Sequence, residues 1–254
     1  MWGAIIGDIA GSRFEFHNLK SKDFDLFSEQ CRFTDDTVMT LAVCQALKDC
    51  NGNYSSLAQN TIQRLKEFGR RYSDRGYGSK FIWWLFSSDV NPYNSCGNGA
   101  AMRISPVAYF ANSIEQVKEL SYAVTAVTHN HPEGIKGAEA TAIAIYLAKC
   151  GKSKAEIKQY IEKNYYELNF TVDQIRPTYG FDETCQNSVP QAIQAFLESA
   201  SFEDAVRTAV SLGGDSDTIG AICGSIAEAF YGIPDEFISQ AATYLDDYLL
   251  SVLG

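Results

Sequence analysis

Two short stretches hold the densest chemistry in the chain. "RFTDDTVMTLAV" carries Thr34, Asp35, Asp36 and Thr37, and "GGDSDTIGAI" carries Asp215, Asp217 and Thr218. In each, two carboxylates and flanking hydroxyls stand just ahead of an apolar run. A single Asp217 or Ser216 would suffice to cap a helix start, and for one such cluster alone that reading is adequate. Adjacent carboxylates repel, however, and one helix end cannot use both. The same Asp/Asp/Thr pattern at a second helix start therefore points to oxygen ligation of hard cations. Without Cys or His in the set, magnesium, manganese or calcium suits these donors better than zinc. An EF-hand loop starting at Asp215 is excluded, because Ile219 and Ile226 occupy its fifth and twelfth positions.

A third stretch, "SCGNGAAMR" from Ser95 to Arg103, offers chemistry of the opposite sign. Gly97 and Gly99 permit close backbone approach, and amides at the start of the next helix favour an anion. Met102 stands where a G-x-G-x-x-G fingerprint needs its last glycine, so a dinucleotide fold is not indicated. Arg103 could reach a carboxylate or an anionic ligand, with an ordinary ion pair the expected account. "AVTHNHPEG" adds His129 and His131, residues that at a helix end commonly serve as caps or satisfied polar groups.

The elements that must position these groups read as helices. Leu57, Thr61/Ile62, Leu65, Phe68 and Tyr72 recur at three- and four-residue steps, as do Ile135, Ala138, Ala142, Ile145 and Lys149. Ser113 with Gln116, Ser153 with Glu156, and Ser201 with Asp204 mark three helix starts. The helix from Ser201 is expected to end at Gly213 and the next to begin near Thr218, with small residues Gly220, Ala221, Gly224 and Ala227 allowing close packing. Strand-like alternation is scarce, and no repeat or linker divides the chain. The expectation is one all-α domain over residues 1–254, a compact multi-helix orthogonal bundle, with glycine joints at 76–78, 97–99 and 213–214. The D-x-D nucleophile of haloacid-dehalogenase-like phosphotransferases, superficially similar to "DSDTI", follows a strand of an α/β sheet and does not suit such a chain.

Composition narrows the partners. With 46% hydrophobic residues in 254, the chain can bury a large core without disulfides. A formal charge of -10 and no basic block argue against a nucleic-acid or anionic-membrane surface. Seven cysteines without a C-x-x-C pair suggest free thiols in a reducing cytosol. The N-terminal "MWGAIIGDIAGSRF" lacks a basic leader and contains Asp8, which does not read as a signal peptide, so a cytoplasmic location is expected.

Five segments, "GAIIGDIAGSRFEF", "FTDDTVMTLAV", "GNGAAMRISPVA", "AVTHNHPEGIKGAEATAIAIYLA" and "GGDSDTIGAICGSIAEAFYGIP", together resemble the ADP-ribosylglycohydrolase family, which includes the dinitrogenase reductase-activating glycohydrolases. The resemblance spans nearly the whole chain, with the segments in the family's order. It implies a binuclear magnesium or manganese centre, with Thr34, Asp35 and Asp36 similar to one ligand set and Asp215, Asp217 and Thr218 to the other. Glu15 is similar to a mobile acidic residue near the metals. Ser95, Cys96, Gly97, Asn98 and Gly99 resemble the loop that holds the diphosphate and ribose, and His129 a histidine near the ligand. Cys96 stands where some relatives carry an aromatic residue, leaving Tyr93, Tyr77 and Phe14 as stacking candidates.

The implied activity is hydrolysis of the bond between ADP-ribose and a modified protein or other acceptor, with free ADP-ribose as product. Glu15, Asp36 and Asp215 are then the catalytic candidates, Glu15 and Asp215 for acid or base work. The family's likeness to certain lens crystallins makes a catalytically silent ADP-ribose binder the alternative; retention of Asp35, Asp36, Asp215 and Asp217 argues against it.

Overall fold

The computed structural model describes residues 1–254. Fifteen α-helices and one 3-10 helix make up the fold, in the order α1 (Trp2–Gly11), α2 (Asp35–Asp49), the 3-10 turn Tyr54–Ser56, α3 (Leu57–Arg71), α4 (Ser79–Phe86), α5 (Gly99–Met102), α6 (Ser105–Phe110), α7 (Ile114–Thr125), α8 (Pro132–Lys149), α9 (Lys154–Asn164), α10 (Val172–Ile175), α11 (Cys185–Glu198), α12 (Phe202–Val210), α13 (Ser216–Tyr231), α14 (Asp235–Ala242) and α15 (Asp247–Leu253). The chain has no strand; its one β-bridge pairs Gly97 with Thr184 in antiparallel sense. No helix is long and apolar enough to cross a membrane.

Helices α1 and α13 form the axis of the molecule, and their glycines explain why. Gly3, Gly7 and Gly11 recur every four residues along one face of α1, facing Gly224, Gly220 and Ser216 of α13. A Cβ added at Gly7 would overlap the Gly220 carbonyl, and one at Gly3 the Gly224 carbonyl. With no side chains between them the two backbones touch directly, so the start of α13 is pinned against the end of α1. Ser216 Oγ adds a 3.0 Å bond to the Gly11 carbonyl at that junction. Around this axis, one apolar cluster runs from Ile5 on α1 to Val252 on α15.

The three serine starts are all real, with a difference in detail. Ser113, Ser153 and Ser201 each accept the backbone N–H three residues on. Only Ser153 and Glu156 close the reciprocal box. Gln116 and Asp204 reach one residue further back, to the amides of Asn112 and Ala200. The helix from Ser201 stops at Val210, earlier than the glycines suggest, and α13 begins at Ser216. Gly213 and Gly214 (φ 67° and 69°) are the left-handed pair that reverses the chain between them.

Candidate functional site

The end of α1, the start of α2 and the start of α13 converge on a cleft of about 340 Å³. Its walls include twelve of the thirteen residues singled out from the sequence: Glu15, Asp35 and Asp36 with Asp215, Asp217 and Thr218, and Ser95 through Gly99 with His129. Thr34 lies behind the wall, buried, its hydroxyl donating to Asp8 at 2.8 Å.

Although Asp215 occupies the N-cap position of α13, its carboxylate does not cap the helix. It accepts instead from the Asn98 side-chain amide at 2.6 Å. A carboxylate oxygen each from Glu15, Asp215 and Asp217 lies within 4.8 Å of the others. Thr218 Oγ1 bonds Asp36 Oδ2 at 3.2 Å, joining the 34–36 set to the 215–218 set, while Asp36 Oδ1 is buried without a partner. Glu15 is brought to the group by Asn18, which accepts from the Gly214 amide at 2.6 Å and donates to the Glu15 carbonyl at 2.9 Å.

Electrostatics sets these groups apart from ordinary surface acids. Burial, and then the charge of Asp217, push Glu15 up to about 8. The same two causes hold Asp35, Asp36 and Asp215 well above the usual carboxylate range. No cationic side chain bonds to any of the five. Buried and half-buried acids crowded with no cation bonded to them, one with an orphaned oxygen, form a donor set suited to divalent cations.

Asp8 supports the cluster from behind the cleft, a part that sequence reasoning missed. Fully buried on α1, it accepts the amides of Thr34 and Thr37 at 3.0 Å each, and both threonine hydroxyls. It thereby caps α2 from another helix and fixes the residues that flank Asp35 and Asp36. Burial and Asp217 outweigh those bonds and push it up to about 7. The sequence signal was a lone carboxylate in the otherwise apolar helix "WGAIIGDIAG".

The glycine loop sits opposite the acids. Gly97 and Asn98 commit their amides to Ser95 Oγ and the Glu183 carbonyl, leaving the Cys96 and Gly99 amides without protein partners. Helix α5 is a single turn, so the expected pull of a helix start on an anion is weak here. Arg103 corrects another expectation: it makes no ion pair and is almost wholly buried on the cleft wall. The remaining side chains also sort out. His131 caps α8 by accepting the Glu133 amide at 3.1 Å. Tyr93 lines the cleft, whereas Tyr77, packed behind the lining residue Phe81, and Phe14, packed on Phe24, do not. Phe181, unsuspected from sequence, is on the cleft wall and stacks at 6.2 Å on the exposed Phe16.

Comparison with known proteins gives the family and the fold. The sequence model of the family described as ADP-ribosylglycohydrolase matches residues 1–252. The chain is 26% identical to human ADP-ribosylhydrolase ARH3 (Homo sapiens) over 332 aligned positions, covering 98% of this chain and 90% of that protein. It is also 26% identical to the ADP-ribosylarginine hydrolase Tri1 of Pseudomonas putida, covering 94% and 72% respectively. A solved structure, an ADP-ribosylglycohydrolase-related protein complex, superposes with a TM-score of 0.70 at 20% identity over 95% of this chain and 94% of that one, which shows the shared fold.

Proposed function

The chain belongs to the ADP-ribosylglycohydrolase family, and on that premise we propose that it is a divalent-cation-dependent hydrolase releasing ADP-ribose from a modified protein or other acceptor. The observation that carries this reading is the convergence of Glu15, Asp36, Asp215 and Asp217, from three distant segments, on one cleft that also contains the Ser95–Gly99 loop. Names borne by the relatives, ADP-ribosylhydrolase and ADP-ribosylarginine hydrolase, describe the same class of reaction.

Asp35, Asp36, Asp215, Asp217 and Thr218 would hold the cations, magnesium or manganese, and Thr34 would join them only by turning its hydroxyl from Asp8. When bound, such cations supply Lewis acidity and neutralise most of the acid charge. The chain's own residues do the rest. Hydrolysis forms a bond from water oxygen to the anomeric carbon of the distal ribose, breaks the glycosidic bond, and returns a proton to the leaving acceptor. Positive charge builds on the ribose as that bond lengthens, so the site must leave the ribose facing oxygen donors while Asp36 and Asp217 are engaged in holding the cations.

Glu15 is partly open to the cleft beside Asp215 and Asp217, so it is the candidate to deliver a proton to the departing acceptor. Asp215, which accepts from Asn98 at 2.6 Å, is then the candidate to orient and deprotonate the attacking water. Across the cleft, the Cys96 and Gly99 amides and the His129 ring are the donors for the diphosphate and ribose, and Tyr93 and Phe181 are the aromatic faces for stacking.

The test is release of free ADP-ribose from arginine-linked and serine-linked peptides, with magnesium, with a chelator, and with Asp217→Asn. Metal-dependent release that the variant lacks is the expected result and names the linkage. Equal release with the chelator present would overturn the metal assignment. Tight ADP-ribose binding without turnover of any linkage would make the protein a silent binder.

A further inference from the structure

Arg103 is 1% exposed, lies on the wall of the cleft and has no carboxylate partner. A guanidinium does not give up its proton to escape burial; even here it is lowered only to about 10. Such a charge is costly to bury unless it is bonded into something. Its Nη2 donates to Thr128 Oγ1 at 2.7 Å and lies 3.4 Å from His129 Nδ1, and Thr128 Oγ1 is 2.8 Å from the same Nδ1. All three side chains are buried, Thr128 completely.

Proton placement in this triangle follows from donor counting. Arg103 can only donate, so Thr128 Oγ1 accepts from it, and the Thr128 proton must go elsewhere. His129 Nδ1 is the acceptor in reach. A proton on Nδ1 would leave the Thr128 hydroxyl without an acceptor and would face the guanidinium with a second N–H dipole of the same sense. Nδ1 is therefore bare and the ring proton sits on Nε2. Burial, and then Arg103, hold His129 well below the usual histidine range, in keeping with a neutral ring. Nε2 has no partner in the protein and faces the glycine loop: a Cβ at Gly99 would come within 3.3 Å of it, and one at Gly97 within 3.6 Å.

We propose that Arg103 and Thr128 are positioning residues that lock His129 in one neutral tautomer, so that Nε2–H stands as a fixed donor to a ligand oxygen held over the Gly97–Gly99 loop. The chain Arg103–Thr128–His129 runs one way, from guanidinium through hydroxyl to imidazole, and ends on the cleft. It explains why the arginine is not paired with an acid: a carboxylate there would neutralise the charge that fixes the direction of the chain. It also supplies positive potential beneath the loop, on the side where α5 is too short to do so. The ligand selected is one with an exposed oxygen acceptor, a diphosphate or ribose oxygen, which rests on the functional reading above.

Nitrogen-15 correlation spectra of the ligand-free protein read the tautomer directly, with the three histidines assigned by His17→Asn and His131→Asn. For His129 a bare Nδ1 and a protonated Nε2 are expected at neutral pH. Thr128→Val should mix the two tautomers and weaken ADP-ribose binding about tenfold by calorimetry, the scale of one buried hydrogen bond. Thr128→Ser, which keeps the hydroxyl, should restore both, and Arg103→Lys should keep the tautomer bias better than Arg103→Met.

A protonated Nδ1 in the wild type overturns the lock, and so does a Thr128→Val variant with the spectrum of Thr128→Ser. A Thr128→Val variant that binds ADP-ribose as the wild type does overturns the assignment of Nε2 to the ligand. Failure of the wild type to bind ADP-ribose, with the tautomer as expected, rejects the functional reading and leaves the lock standing.

Discussion

Asn98 donates its side-chain amide to Asp215 at 2.6 Å across 117 positions of sequence, and its other amide hydrogen to Ser188 Oγ at 3.0 Å. The glycine loop and the acidic cluster are thus mechanically one unit: the residue between Gly97 and Gly99 sets the orientation of a carboxylate on the opposite wall. Asn98→Ala should leave the fold intact and cost about 10- to 100-fold in activity or magnesium affinity, the usual scale for a group that orients a ligand. A magnesium titration of turnover checks this, and a midpoint equal to the wild type's would show that Asp215 needs no such support.

Asp217 is the charge that raises every other acid of the cluster. Asp217→Asn should abolish turnover yet make the metal-free protein more stable, because repulsion among buried carboxylates is relieved. A gain of about 1 kcal/mol would raise the melting temperature by about 2–4 °C. Magnesium should raise the melting temperature of the wild type and much less that of the variant. Calorimetric scans with chelator and with magnesium measure both effects, and a variant that melts lower without metal would contradict the repulsion.

The pH dependence of the chelated protein follows from Asp8 and Glu15, raised to about 7 and about 8. Between their unfolded values, roughly 4, and those folded values, the native state holds more protons than the unfolded chain. The slope of unfolding free energy with pH is then negative. Metal-free protein should lose stability as pH rises from about 4 to about 8 on account of these two groups, and Asp35, Asp36 and Asp215, also held well above the usual carboxylate range, add loss of the same sign. Buried Asp8 alone contributes a few kcal/mol at most, since a tenfold difference in proton affinity between folded and unfolded chain is worth about 1.4 kcal/mol. Denaturant unfolding at pH 5.5 and 8.5 tests the sign, and added magnesium should flatten the difference.

Gly7 leaves no room for a side chain against the Gly220 carbonyl. Gly7→Ala should force α1 from α13 and destabilise the protein by about 3 kcal/mol, the upper range for overpacking, since backbone rather than a flexible side chain is in the way. Urea unfolding measures it. Because the start of α13 carries Asp217 and Thr218, activity should fall even in the folded fraction; an Ala variant of wild-type stability would mean that the helices can part freely.

Much of this protein was legible in its sequence because the signals were local. Helical periodicity, serine caps and glycine joints depend on neighbours within a turn, and the Asp/Asp/Thr pairs announced their chemistry by repeating it. The doubled glycine at 213–214 marked the joint, though not that α12 would stop at Val210. Single residues whose partners are remote were silent. Asp8 looked like one polar interruption of an apolar helix until folding brought Thr34 and Thr37 to it. Arg103 looked like half of an ion pair, and only packing put Thr128 and His129 at its end and kept acids away. Spacing along the chain determined which residues could be ligands or caps; the meeting of α1, α2 and α13 decided which charges face one another, because electrostatic energy depends on distance through space and on burial.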